Sequence, residues 1–374
     1  MVEKTKNKKC LNCGKESLLV SSTLGVCVEC IREEFDEVKF LIEKAHKKIR
    51  EAFDLPPVPP AEEKGLRCKL CLNECSIPPG QKSFCGLREN KKNKLEGASL
   101  SAGYLDWYFD NLPTNCVASW ICAGGSEKGY PEFSYKKGPE YGYKNLAIFY
   151  YGCSFNCLFC QNWHWRENPI AKKAISPEKL VDVIDRKTSC ICFFGGDPSC
   201  QITHSLKVAH LAREKTEGRI MRICWETNGS VSPEFLDEMA EISLESGGCI
   251  KFDLKAWNEE THLALCGVSN KRTLENFKYL ASFIEKRKKP PFLIASTLLV
   301  PGYVDENEVK GIAGFISSLN PEIPYTLLCF YPQFYMHDLP TTSKSHAEKC
   351  LEAARKEGLK NVRIGNIHLL GNDY

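Results

Sequence analysis

Long hydrophobic runs are absent. The most apolar stretch, residues 291–304, is short and interrupted by Ser296, Thr297 and Pro301, which excludes a bilayer-spanning helix. Net charge is slight as well. The 50 lysines and arginines face 47 aspartates and glutamates, an excess too small to make nucleic acid the expected partner. Residues 1–9 are charged and lead into no apolar segment, so no export signal is expected and the protein reads as cytoplasmic. Low-complexity tracts and short-period repeats are missing too. What remains is ordinary for a folded protein: 374 residues, 43% apolar and 26% charged. That length implies two or three domains at about 150 residues each.

Cysteine is the exception, with 21 residues. Without an export signal, metal thiolates explain them better than disulfides. Cys10, Cys13, Cys27 and Cys30 form two CxxC knuckles; Cys68, Cys71, Cys75 and Cys85 form a second set; Cys153, Cys157 and Cys160 form CxxxCxxC. The others, such as Cys190, Cys192, Cys224, Cys249 and Cys329, lie in apolar strands or amphipathic helices, where cysteine packs as a small hydrophobe. Cys116 and Cys122 are candidate extra ligands, with buried structural thiols the preferred reading.

Three regions are expected. Residues 1–60 join the knuckles to a helix whose apolar stripe runs Ile31, Phe35, Val38, Ile42, Ala45, Ile49 and Phe53. It should end at Leu55, before a stiff linker of Pro56, Pro57, Pro59 and Pro60. Residues 61–144 are rich in Gly, Pro and Tyr with little periodicity, and read as loops and short strands organised by bound metal. Residues 145–374 alternate strands and helices. Apolar strands are expected at 146–151, 190–194, 220–225, 250–254, 292–300, 325–330 and 362–364. Ser176-Pro177 should start a helix, and Gly218, Gly247 and Gly358 should stop others. Repeated β–α units imply a parallel sheet, open or curled into a partial barrel, with chemistry at the carboxyl ends of its strands.

Directly after the first of these strands stands Cys153-Ser154-Phe155-Asn156-Cys157-Leu158-Phe159-Cys160. Three thiolates on such a loop can hold three irons of a cubane 4Fe-4S cluster, leaving the fourth iron open to a substrate. A closed zinc site is the competing reading, with His164 the nearest residue to complete it. The knuckle set has four thiolates and no open position, so its zinc or iron is structural. Cys68, Cys71, Cys75 and Cys85 suit one iron or zinc, or a second cluster, with the mononuclear site ranked first.

The CxxxCxxC loop, with Phe159 before its last cysteine, resembles that of the radical S-adenosylmethionine (SAM) enzymes. The likeness continues along the chain. Gly195-Gly196-Asp197-Pro198 resembles the family's GGE motif, whose backbone binds the SAM amino group, with Asp197 in place of the usual Glu. Glu226-Thr227-Asn228-Gly229 and Asp253-Leu254-Lys255 are similar to SAM-binding motifs of the pyruvate formate-lyase activating enzymes, and Val300-Pro301-Gly302 matches a further turn. The second cysteine set with Arg88-Glu89-Asn90, the run Cys160-Gln161-Asn162-Trp163 and Arg363-Ile364-Gly365-Asn366 resemble a related subgroup often labelled AmmeMemoRadiSam-system proteins. Leu72 stands there where Pro is usual.

The resemblance implies an α/β fold: a partial (β/α)6 TIM-type barrel with an amino-terminal cysteine-rich, metal-binding extension. It implies a 4Fe-4S cluster on Cys153, Cys157 and Cys160, and SAM held by Phe159, Gly195, Gly196, Asp197, Glu226, Asn228, Asp253 and Lys255. Lys255 would neutralise the SAM carboxylate, while Glu226 and Asp253 would accept hydrogen bonds from its ribose or amine. Cleavage of SAM would yield a 5′-deoxyadenosyl radical that abstracts hydrogen from a protein or peptide, with ferredoxin or flavodoxin as electron donor. The outcome is glycyl-radical activation, or C-methylation resembling the cobalamin-dependent methylation of a glutamine in methyl-coenzyme M reductase. The rival from another class is a non-catalytic interaction protein with zinc in all three cysteine sets.

Overall fold

Each apolar segment expected from residue 146 onward becomes a strand of one sheet. The computed structural model describes residues 6–167, 169–170, 173–372 and 374. It begins with a two-residue ribbon, β1 (Lys8–Lys9) against β2 (Glu16–Ser17), that carries the first knuckle. Helices α1 (Val28–Glu33) and α2 (Phe35–Glu51) follow. The expected stripe is buried along them at Ile31, Val38, Ile42, Ala45 and Ile49, but the helix breaks at Glu34 (φ −133°) and stops at Glu51. Two short antiparallel ribbons come next: β3 (Leu66–Arg67) with β4 (Ser76–Ile77), and β5 (Arg88–Lys91) with β6 (Lys94–Gly97).

The main sheet comprises β7 (Leu105–Asn111), β8 (Lys144–Tyr150), β9 (Thr188–Gly195), β10 (Arg222–Thr227), β11 (Ile250–Asp253), β12 (Leu293–Leu299), β13 (Tyr325–Cys329) and β14 (Val362–Gly365). They lie side by side in chain order, parallel from β8 to β14, with β7 antiparallel along the outer edge of β8. Strands β8 to β13 supply the six of the barrel expectation, and β14 adds a seventh. The end strands β7 and β14 do not pair with each other, so the sheet is not closed. Helices fill every crossover: α3 (Pro177–Asp182), α4 (Ile202–Lys215), α5 (Leu236–Ser246), α6 (Glu259–Cys266) with α7 (Lys271–Ala281), α8 (Glu306–Leu319) and α9 (Lys344–Lys356).

Alternation along the strands sorts side chains onto two faces. Ile191, Phe193, Ile223, Trp225, Ile250 and Phe252 are at most 1% exposed and belong to the main core shared with the helices. The opposite face carries Cys190, Cys192, Cys224 and Lys251, which line an interior cavity.

The amino-terminal region docks on this framework. The Arg32 guanidinium grips Asp305 through Nη1 at 2.8 Å and Nη2 at 3.0 Å and reaches Glu308 at 2.9 Å. Lys8 pairs with Asp338 at 3.0 Å, and the Ser21 N–H donates to the Tyr303 hydroxyl at 2.9 Å. Among the described residues no helix is long and apolar enough to cross a membrane.

Candidate active site

The carboxyl ends of β8 to β12 meet around a cavity of about 170 Å³. Its floor is the cysteine loop leaving β8. Cys153 and Cys157 are buried and Cys160 half-buried. The Phe155 N–H donates to Cys153 Sγ at 3.4 Å, and Asn228 Nδ2 does so at 3.6 Å. Such donors favour a thiolate and tune a bound metal. Cys266, at the end of α6, brings a fourth thiol to 3.6 Å from Cys157. Its hydrogen bond, helped by the charges of Lys255 and Arg166, holds the Cys157 thiol below its ordinary range, whereas burial raises Cys153 and Cys160.

The set suits an iron–sulfur cluster. Its donors are all sulfur, and Arg166, 1% exposed, keeps Nε and Nη1 without a partner among the described residues. A buried cation with unspent donors matches an anionic metal–thiolate group beside it. Spacing argues the same way. Cys10, Cys13, Cys27 and Cys30 are, among the described residues, the one such group whose ligand atoms all lie within 4.8 Å of one another. The loop thiols are not gathered that closely, and neither are Cys68, Cys71, Cys75 and Cys85. There Cys200, from the turn after β9, adds another thiol against Cys71 and Cys85; its hydrogen bond holds the Cys85 thiol down at about 5.

Strand β9 ends on the glycine pair. Gly195 has φ +119°, and a Cβ there would lie 2.6 Å from the Tyr150 carbonyl oxygen; one on Gly196 would lie 2.2 Å from that of Gly152. The missing side chains let this turn press against the backbone of the cysteine loop, where Gly196 N–H donates to Tyr150 at 2.7 Å. Asp197, 3% exposed, accepts from the N–H groups of Ser199 at 2.7 Å and Asn228 at 2.6 Å and from the Thr227 hydroxyl at 3.1 Å. Its shorter side chain therefore ties the β9 turn to the β10 turn. Burial still raises this carboxyl above its ordinary range.

Past β10, Asn228 Nδ2 also donates to Ser154 at 2.8 Å, which fixes it over the loop. Glu226 points to Lys251 of β11, with Oε2 and Nζ 3.0 Å apart. Asp253 pairs with Lys255 at 2.7 Å and accepts from Ser296 Oγ at 2.5 Å. Burial opposes the Lys255 charge, yet Asp253 and Cys157 together hold its ammonium above the ordinary range. Nζ stands 5.9 Å from the Phe159 ring centre.

One cavity thus collects Cys153, Cys157, Phe159, Cys160, Gly195, Gly196, Asp197, Glu226, Asn228, Asp253 and Lys255. The knuckle cysteines lie elsewhere. His164 stacks on Trp163 at 3.9 Å and does not line the cavity. Sequence reasoning missed Arg166, Cys266 and Lys251. Only Lys251 left a signal, standing two residues before Asp253 on the same face of its strand.

The Radical SAM superfamily profile matches residues 147–316. The chain is 30% identical over 226 residues to the pyruvate formate-lyase 1-activating enzyme of Escherichia coli K12, spanning 58% of this chain and 86% of that protein. An uncharacterized protein of Methanocaldococcus jannaschii is 26% identical over 313 residues, 82% of this chain and 83% of the relative. A solved radical SAM methyltransferase from Sphaerobacter thermophilus aligns with a TM-score of 0.45 at 14% identity, over 59% of this chain and 66% of that one. The matched segment contains the cysteine loop and the ends of β8 to β12 that meet over it, and this enzyme belongs to the radical SAM superfamily, alongside its pyruvate formate-lyase activating relatives.

Proposed function

We propose that the protein binds a site-differentiated 4Fe-4S cluster on Cys153, Cys157 and Cys160 and uses it to cleave SAM and modify a protein or peptide. One observation carries this reading: three thiols and the turns after β9, β10 and β11 line a single cavity, although they are spread over residues 153–255. Held by these three cysteines, a bound cluster would supply the one electron for reductive cleavage of SAM to methionine and a 5′-deoxyadenosyl radical, the agent of hydrogen abstraction.

The chain's own residues bind, orient and shield. Lys255, kept charged by Asp253, meets the SAM carboxylate; both Asp253 oxygens are engaged, by Lys255 and by Ser296, and the second lone pair of either is what accepts from a ribose or amine donor. Asn228 and the Phe155 N–H hold Cys153 in place. Asp197 orients the Asn228 backbone, and the glycine pair brings main-chain groups to the cavity wall. Phe159, Leu298 and Leu328 keep water from the reacting bond. A protein or peptide substrate accords with the activating-enzyme relative, and glycyl-radical activation is the outcome we favour.

The test is Cys153→Ala with Cys157→Ala and Cys160→Ala. After anaerobic reconstitution and reduction, this variant should fold as judged by circular dichroism and form no 5′-deoxyadenosine. Continued formation would overturn the assignment.

A further inference from the structure

Below the SAM-facing cavity lies a second of about 330 Å³, walled by Cys116, Cys122, Cys190, Cys192, Cys224 and Cys249. Barrel interiors are ordinarily filled by branched aliphatic side chains in layers. Here the inward positions of adjacent strands carry thiols. Cys192 and Cys224 pair directly across β9 and β10, and Cys190 lies one inward position below. Cys249 immediately precedes β11. Cys116 and Cys122 come from the segment beneath the strands, where the Val117 carbonyl accepts from Thr326 at 3.1 Å. Cys224 Sγ lies 3.9 Å from Cys190 and 3.9 Å from Cys249. Lys251, its side chain 3% exposed, places Nζ 3.0 Å from Cys116 Sγ, 3.2 Å from Cys192 Sγ and 3.0 Å from Glu226 Oε2.

Plain packing explains this poorly. Thiols filling space as small hydrophobes would leave no cavity and would not surround a buried ammonium. Thiolates would, because each needs a compensating cation out of water. Among the described residues these thiols are not all drawn within 4.8 Å of one another, as one tetrahedral ion would draw them, and sulfur-only donors select iron–sulfur clusters among polynuclear centres. We propose that the barrel interior holds a second iron–sulfur cluster, ligated by Cys190 and Cys224 from the sheet, Cys249 just before β11 and Cys122 from the segment below, with Lys251, beside Cys116 and Cys192 on the same cavity wall, offsetting its charge. It shares no ligand with the Cys153 loop, so its test stands apart from that of the proposed function. Gln161, Phe194, Glu226 and Leu328 line both cavities, which sets the two clusters on either side of one layer of side chains.

Replacing Cys122, Cys190, Cys224 and Cys249 together by Ala, followed by anaerobic reconstitution with iron and sulfide, should remove one cluster's worth of iron and acid-labile sulfide. An electron paramagnetic resonance signal that SAM does not perturb should vanish with them, yet persist in Cys68→Ala with Cys85→Ala. The SAM-responsive signal should remain. Cys122→Ala alone, outside the sheet, is the variant to use should the fourfold one misfold: it should alter the SAM-indifferent signal with unchanged circular dichroism. Wild-type iron and sulfide in a folded fourfold variant, or an unaltered signal in Cys122→Ala, would overturn the proposal. So would zinc without sulfide as the metal lost.

Discussion

Lys255 reaches the cavity with a partner already in hand, 2.7 Å away on Asp253. A carboxylate arriving from SAM would share that ammonium, and a charge-assisted hydrogen bond of this kind is worth roughly 1.5–3 kcal/mol. Lys255→Met keeps the stem and removes the charge. SAM affinity should then fall by about ten- to a hundredfold with iron content unchanged, as a titration beside metal analysis would read. Undiminished affinity would reduce the lysine to an ion-pair partner. Asp197 predicts a different signature. Its oxygens serve three donors inside the protein, so Asp197→Ala should cost about 1–3 kcal/mol of stability and weaken SAM binding through the displaced Asn228 turn. Lost binding at an unchanged melting temperature would instead indicate direct contact. Cys266→Ala asks whether the thiol 3.6 Å from Cys157 is a neighbour or a ligand. If the loop supplies the three ligands, as proposed, cluster iron should be retained; loss of iron would make Cys266 one of the set.

Elements were legible where their pattern had a cause within reach. The strands from β8 to β14 show as apolar runs because helices and barrel interior bury both faces. Strand β7 escaped notice for the converse reason: Leu105 is its one buried residue, and Trp107, Tyr108 and Phe109 are all exposed to some degree on a strand that pairs on one side only. The break at Glu34 was also hidden. Helix α1 starts from Cys27, inside the knuckle, and its direction is set by where the four thiols converge, not by the stripe that continues into α2. Cys10→Ala with Cys30→Ala should accordingly lose one metal per chain and loosen residues 1–60, visible as faster amide exchange there. SAM cleavage should persist, and its loss together with cluster iron would tie the knuckle to the chemistry.

Across the whole molecule, the strand-end residues converge because every crossover returns the chain to the same rim. That is why motifs far apart in sequence predicted one site. The interior thiols were illegible for a related reason: a strand buried on both faces gives no clue as to which face looks inward, so Cys190, Cys192 and Cys224 read as packing. The foot of the barrel is held by a buried pair. Glu140, 0% exposed, receives Arg222, 2% exposed, through two contacts, and also the Ser189 hydroxyl at 2.6 Å. Removing one partner strands the other charge. Glu140→Ala should therefore lower unfolding stability by about 3–5 kcal/mol in a denaturant titration. A loss below 1 kcal/mol would show that water reaches the guanidinium.

The contacts between the knuckle region and the barrel have a bearing on synthesis at the ribosome. Lys8 waits for Asp338, 330 residues later, and Ser21 waits for Tyr303, 282 residues later. At about 5–20 residues per second that interval lasts roughly 15–65 s. Throughout it the knuckle has no barrel to lean on and little apolar material of its own. Four thiols that close on an ion as soon as Cys30 emerges would give the segment a shape long before its docking surface exists. The nascent chain would then present a finished plug to a barrel still being made.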